Sequence, residues 1–396
     1  MKLKPYLIST SVVAILSMPL WGSHVLWRLS PERSLQVLIV DYTVPFTRFS
    51  HHRGIIWLLN YHRVIPPHEG SAWLAPTDYL GYYPQEPERS QHLSDITLSP
   101  YDWIYLADTY GVYDTDLMKA QEKKVPKGHI PRLVFGALSL DDAKALSLFA
   151  SEGKSLILEF NSFATPTDPE ARSIAEDLVG VTWTGWSGRF FPDLGDLEDV
   201  PAWFEKIYPI QYPGRPMPRG PGILFIHNSG RVVVLGNQAF EKSAPFLRAS
   251  HIGKQTYSSN YGTPPFFGWF SIVTPKSTEI KVLAELILPN HYEWRKICRK
   301  ARIPTVFPVI TEHQSGKSKR IYLAANLANM DDQPGMHSLV GIPSLQKAVN
   351  RRRDAVSEKP AYWQIYVPMM GKIINAASSQ PRKQGEDSWR SQKDML

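Results

Sequence analysis

Three carboxylates in this chain each close an apolar run. Asp41 ends the run from Ser34, Asp108 ends the run from Tyr101, and Glu159 follows Lys154-Ser-Leu-Ile-Leu. Near-continuous apolar runs of this length read as strands covered on both faces, as in a parallel sheet. Ligands of such sheets bind outside the C-terminal strand ends, where all three carboxylates would fall. Carboxyl groups gathered there can carry out acid/base work on a sugar or hold a hard cation, so Asp41, Asp108 and Glu159 are the candidate catalytic residues. The competing reading has each one capping a helix or tying down a loop, a duty that suits Asp. Thr109 and Tyr110 follow the second run and Asn161 the third, which makes them candidates for ligand binding.

A second constellation runs from Val181 to Phe191, where Trp183, Trp186 and Arg189 alternate with small residues. Two indoles and a guanidinium can build a sugar-stacking face; a buried strand running into a loop uses the same residue types. His51, His52 and His62 lie near the first strand–helix unit as possible bases or ligands, or as ordinary helix-surface residues. Cys298 is the single cysteine, so no intramolecular disulfide and no cysteine-based zinc site can form. Its neighbours Lys296, Arg299 and Lys300 could activate a thiol, yet an inert cysteine in a basic amphipathic helix accounts for the segment as well. The histidine spacing matches no metalloprotease motif, no Gly-x-Ser-x-Gly elbow is present, and the glycines have no phosphate-loop spacing. No metal or cofactor is therefore expected.

Elements able to position these residues alternate along the chain. A helix is expected over Ile55–Val64. Another runs from Ser139 to Ala150, with Ser139 and Asp142 as a capping box and Gly153 beyond its end. Asp168 caps a third helix with Pro169 at its first position, and Gly180 ends it. Strand–helix alternation predicts a doubly wound, mostly parallel α/β domain over residues 34–240. The segment Ile223–Leu235 folds back at Asn228-Ser229-Gly230 as an edge hairpin. Residues 241–376 read as a smaller α+β region, with strands near 267–273, 279–288, 305–310 and 320–325 and a helix over Tyr292–Ala301. The polar tail 377–396 reads as disordered.

A third strand giving way to Asn161-Ser-Phe-Ala-Thr-Pro-Thr and a Pro-started helix resembles the class I glutamine amidotransferase-like superfamily. The resemblance covers about half the chain, rests on element order and the Lys154–Leu178 segment, and implies the fold and the place of a site. Active members carry a cysteine nucleophile on that turn, with a His-Glu pair downstream. Glu159-Phe160-Asn161 stands there instead, so glutaminase chemistry is not implied. The chain also resembles uncharacterised bacterial exported proteins that share its Asp41-Tyr-Thr-Val-Pro and Ala107-Asp-Thr-Tyr-Gly-Val-Tyr segments, which supplies no activity.

Lys2 and Lys4 precede an apolar stretch from Tyr6 to Trp27, about long enough for one bilayer crossing. With Trp21 at the −3 position of the candidate cleavage site, residues 1–28 read as an uncleaved signal anchor with the globular part outside; a cleaved signal peptide is the alternative. The net charge of +7 is spread thinly, and Arg351-Arg352-Arg353 is its densest cluster, so nucleic acid is not an expected partner. Export, abundant aromatics (12 Trp and 18 Tyr) and strand-end carboxylates lead to an envelope-associated protein that binds or processes a carbohydrate or cell-wall polymer. If it is an enzyme, a carboxylate-based hydrolase is expected; a non-catalytic scaffold or partner-binding component is the alternative.

Overall fold

A computed structural model describes residues 18, 21–68, 70, 72–126, 129–196, 198–236, 244–257, 261–332, 334–350 and 357–377. Strand β1 (Val37–Asp41) leads into helix α1 (Ser50–Tyr61), the short strand β2 (Leu80–Gly81) and β3 (Trp103–Asp108). A ribbon of β4 (Val112–Tyr113) and β5 (Leu133–Phe135) encloses α2 (Asp114–Ala120). Next come α3 (Leu140–Ser151), β6 (Ser155–Glu159), α4 (Pro169–Val179) and the long β7 (Val181–Phe191). Helix α5 (Ala202–Gln211) precedes the hairpin of β8 (Gly222–His227) and β9 (Val232–Gly236). Then follow β10 (Phe246–Ala249), α6 (His251–Thr256), β11 (Phe270–Pro275), β12 (Lys281–Ile287) and α7 (Tyr292–Ala301). Strands β13 (Val306–Ser315) and β14 (Ser318–Leu323) are followed by α8 (Ile342–Val349) and α9 (Val367–Ala377), the latter entered through a π-helical turn over Tyr362–Tyr366.

The central sheet has the order β10-β12-β13-β14-β6-β3-β1-β2. Neighbours from β14 to β2 are parallel, and those from β10 to β14 are antiparallel. A second sheet, β11-β7-β8-β9, is antiparallel throughout. The fold is α/β as expected, a mixed and mostly parallel sheet flanked by helices with a smaller C-terminal α/β region. That region is woven into the rest. Strands β10, β12, β13 and β14 extend the sheet begun before residue 240, and β11 joins β7 to β9. Successive steps β1-α1-β2 and β3-α3-β6 cross the sheet in opposite directions, so right-handed crossovers put α1 and α3 on opposite faces. The order reverses between β1 and β3.

Local sequence explains the elements nearest that reversal. The side chain of Ser139 accepts from the backbone of Asp142, and Asp168 accepts from Glu170 and Ala171, so α3 and α4 begin where their caps lie. Gly180 ends α4 at φ 72°, in the left-handed region, and a Cβ there would meet Ile280 Cδ1 at 2.3 Å. Helix α1 starts earlier than expected and runs straight through Gly54. A side chain at that glycine would strike the Ala328 carbonyl at 2.4 Å, so tertiary contact overrides its low helix propensity.

The transmembrane signal anchor is not supported. Among the described residues no helix is long and apolar enough to cross a membrane. Residues 21–29 are helical and lie against the folded body: Trp27 donates to the Tyr61 carbonyl at 2.8 Å, and Ser23 to that of Val340 at 2.7 Å. The rest of the expected span, and the tail from residue 378, lie outside the described residues.

Candidate functional site

Because β1, β3 and β6 are neighbours, Asp41, Asp108 and Glu159 end adjacent strands at one edge, with Asp41 in register with Asp108. All three are buried. Asp41 Oδ2 lies 2.6 Å from His52 Nδ1, and its Oδ1 accepts from the Thr43 amide at 2.9 Å. His51 Nδ1 stands 3.7 Å from the same Oδ1. Burial opposes the charge on Asp41, but the two histidines hold its carboxyl well below the usual carboxylate range. Burial likewise opposes the His51 cation, yet Asp41, with Asp108 behind it, pushes that imidazole up to about 10. His51 is therefore positively charged at neutral pH.

Asp108 accepts from Thr43 Oγ1 and from the Tyr110 amide, both at 2.7 Å, and from Asn161 Nδ2 at 3.0 Å. Burial raises its pKa, with the charge of His51 pulling the other way. Glu159 sits in the core. One oxygen accepts from Tyr105, whose hydroxyl also meets that of Tyr366 at 2.8 Å; the other has no partner among the described residues. Burial is the main cause that raises its pKa well above the carboxylate range, with the Tyr105 hydroxyl pulling the other way.

Beside this edge opens a cleft of about 620 Å³. Tyr110, Phe160, Trp183, Trp203 and Trp269 line it with aromatic surface, and Asn161, Thr165, Ser187, His227 and Asn228 add polar groups. Asn161 occupies the strand-to-helix turn after β6 with φ 72°, a conformation Asn tolerates better than most residues. Its side chain is held by Asp108, and its carbonyl accepts from Thr109 Oγ1 at 3.2 Å. The carboxylate and the threonine thus fix a cleft residue without lining the cleft themselves. Gly185 has φ 85°, and a Cβ there would meet His227 Nε2 at 2.5 Å and Asn228 Oδ1 at 2.9 Å. Only glycine lets the tip of the β8–β9 hairpin lie over β7 and bring both side chains to the cleft.

The tryptophan segment forms one continuous eleven-residue strand whose two indoles differ in duty. Trp183 lines the cleft, with the Arg172 guanidinium 5.2 Å from its ring centroid. Trp186 is buried; its carbonyl accepts from Trp183 Nε1 at 2.9 Å, and its ring packs on His227 at 4.9 Å. Arg189 does not line this cleft. It pairs with Asp199 at 2.8 Å and lines a separate pocket of about 260 Å³ with Phe267, Asn329 and Glu358. Trp203, Trp269, His227 and Asn228 were not singled out as site residues in the sequence. For the two tryptophans the only signal there was the abundance of aromatics, and Asn228 was placed only at a hairpin turn.

Among the described residues no group of three or more His, Cys, Asp or Glu side chains is placed to hold a metal ion. Cys298 is buried on α7, and burial pushes its thiol up to about 11. The strand-to-helix turn after β6 carries Asn161 and no cysteine.

No protein-family model matches the chain, and no curated protein matches it in sequence. Solved structures resemble it distantly. The exo-β-1,4-mannosidase Op5Man5 from Opitutaceae bacterium strain TAV5 is 10% identical with a TM-score of 0.34, covering 85% of this chain and 36% of that one. A ThuA-like protein from Bacteroides uniformis is 11% identical with a TM-score of 0.34, covering 82% and 96%. The carbohydrate deacetylase Agd3 is 9% identical with a TM-score of 0.31, covering 74% and 30%. The chain thus spans about a third of the length of the mannosidase and of the deacetylase. Likenesses this remote carry no functional argument.

Proposed function

We propose that this protein binds a carbohydrate chain in the aromatic cleft, as a recognition module without hydrolytic chemistry of its own. The observation that carries this reading is the lining itself: five aromatic side chains interleaved with Asn161, His227 and Asn228, between the ends of β3 and β6 and the second sheet with α5. Sugar rings pair an apolar face with a rim of hydroxyls, so they match aromatic platforms flanked by amide and imidazole groups. Hydrolysis draws less support. Asp41, Asp108 and Glu159 do not line the cleft, and the oxygens of Asp108 are engaged by Thr43, Tyr110 and Asn161. The basic, then apolar N-terminal sequence supports an exported protein, and export would bring the cleft to cell-wall polymers. Kinship with the amidotransferase-like superfamily belongs to the same proposal, at the level of fold, with Asn161 on the turn after β6.

The test is a glycan array with the full chain, followed by titration calorimetry on the hits. Trp203→Ala and Trp269→Ala should each weaken binding by roughly tenfold, about 1.4 kcal/mol, and leave the melting temperature within a few degrees. Absence of binding across neutral, acidic and amino glycans would leave the non-catalytic partner-binding reading in its place.

A further inference from the structure

Arg189, placed by its sequence with the aromatic segment, lines a second pocket of about 260 Å³, together with Phe267, Asn329 and Glu358. Two chain segments serve both spaces. On β7, Ser187 lines the aromatic cleft and Arg189 the second pocket; before β11, Trp269 lines the first and Phe267 the second. Ser187 and Arg189, two apart on the strand β7, point to the same face about 7 Å apart. The two spaces therefore adjoin along β7. Arg189 stands at the junction, donating from Nε to the Phe267 carbonyl at 3.3 Å and paired with Asp199, which lies two residues before the cleft residue Pro201.

The far side of the second pocket reaches the point where the strand order reverses. Met330 lines it, and the Met330 amide donates to the Ser50 carbonyl at the start of α1, at 3.0 Å. His51, held by Asp41, follows directly, and its charge acts on Glu358. The crevice beside such a reversal is where open α/β sheets bind their ligands. Glu358 itself is pushed up to about 7 by burial and by Asp331, so near neutral pH it offers both a donor and an acceptor to a sugar hydroxyl.

We infer that the second pocket is a further subsite of one continuous groove, so the ligand is an oligosaccharide several units long. The inference rests on carbohydrate binding in the aromatic cleft. Aromatic stacking holds the first units, and Arg189, Asn329 and Glu358 hydrogen-bond the units beyond them.

The test compares a disaccharide with a hexasaccharide of whichever glycan the array identifies, using the full chain. Wild-type protein should bind the hexasaccharide at least tenfold more tightly. Asn329→Ala and Ser357→Trp, the second of which fills the pocket from its rim, should erase most of that advantage and leave disaccharide affinity unchanged. Unchanged disaccharide binding also shows that the variants fold. If chain length has no effect, or if both variants keep the full advantage, the continuous groove is wrong while the aromatic cleft stands. If no glycan binds at all, both readings fall together.

Discussion

Asp41 serves two histidines at once. His52 is fully buried against it, whereas His51 keeps part of its surface toward solvent. The folded-state pKa of His51, about 10, lies above its ordinary value of 6.5. A raised histidine pKa means stability that is fully present below about 6.5 and lost as pH rises toward about 10. The depressed pKa of Asp41 acts at the other end, its share being lost as pH falls below the carboxylate range. The expected outcome is a melting temperature that declines steadily between pH 6.5 and 10. In His51→Gln that slope should flatten, with the variant converging on wild type at the alkaline end. A slope unchanged by the substitution would show that His51 is not the titrating group.

Helix α3 shows what a cap is worth when it does more than cap. Ser139 holds only the first turn, so Ser139→Ala should cost about 1 kcal/mol in urea unfolding. Asp142 completes the same box, accepts from the Ser94 amide at 2.9 Å, and lies 3.3 Å from His92 Nδ1. Asp142→Ala should therefore cost more, about 2–4 kcal/mol, because buried donors are left without a partner. Equal losses for the two variants would confine Asp142 to its capping role. The capping half of this was legible in the sequence, since Ser and Asp three apart announce a helix start. The long-range half was not, because nothing local ties Asp142 to Ser94. The site divides in the same way. Tyr110 and Asn161 could be found by following apolar runs to their ends and Trp183 by its place in the tryptophan segment, and these three do line one cleft. Trp203 and Trp269 reach it from separate segments, brought there by packing that leaves no periodic trace. Strand direction was legible too, but not strand order: nothing in Arg320–Ala325 says that it inserts beside Lys154–Glu159.

At the scale of the whole molecule, the parallel half of the sheet depends on its last strand. β14 covers the edge of β6, and through β13 and β12 it brings in the antiparallel half. A fragment ending at residue 240 would leave β6 with an open, apolar edge, and β7 without β11. Such a fragment should not unfold cooperatively: its urea profile should be broad, and it should bind a hydrophobic dye that the full chain does not. A sharp transition matching the full chain would show that the first 240 residues are self-sufficient.

The same seam sets a clock during synthesis. Ser318 of β14 donates to the carbonyl of Lys154, a partner 164 residues earlier in the chain. At ribosomal rates of about 5–20 residues per second, the edge of β6 waits on the order of ten to thirty seconds for its neighbour. During that interval Leu156 and Leu158, fully buried in the finished protein, belong to a strand paired only on its β3 side. The sheet can close only after β14 has been made, so a holding chaperone fits the growing chain better than early independent folding of its first half.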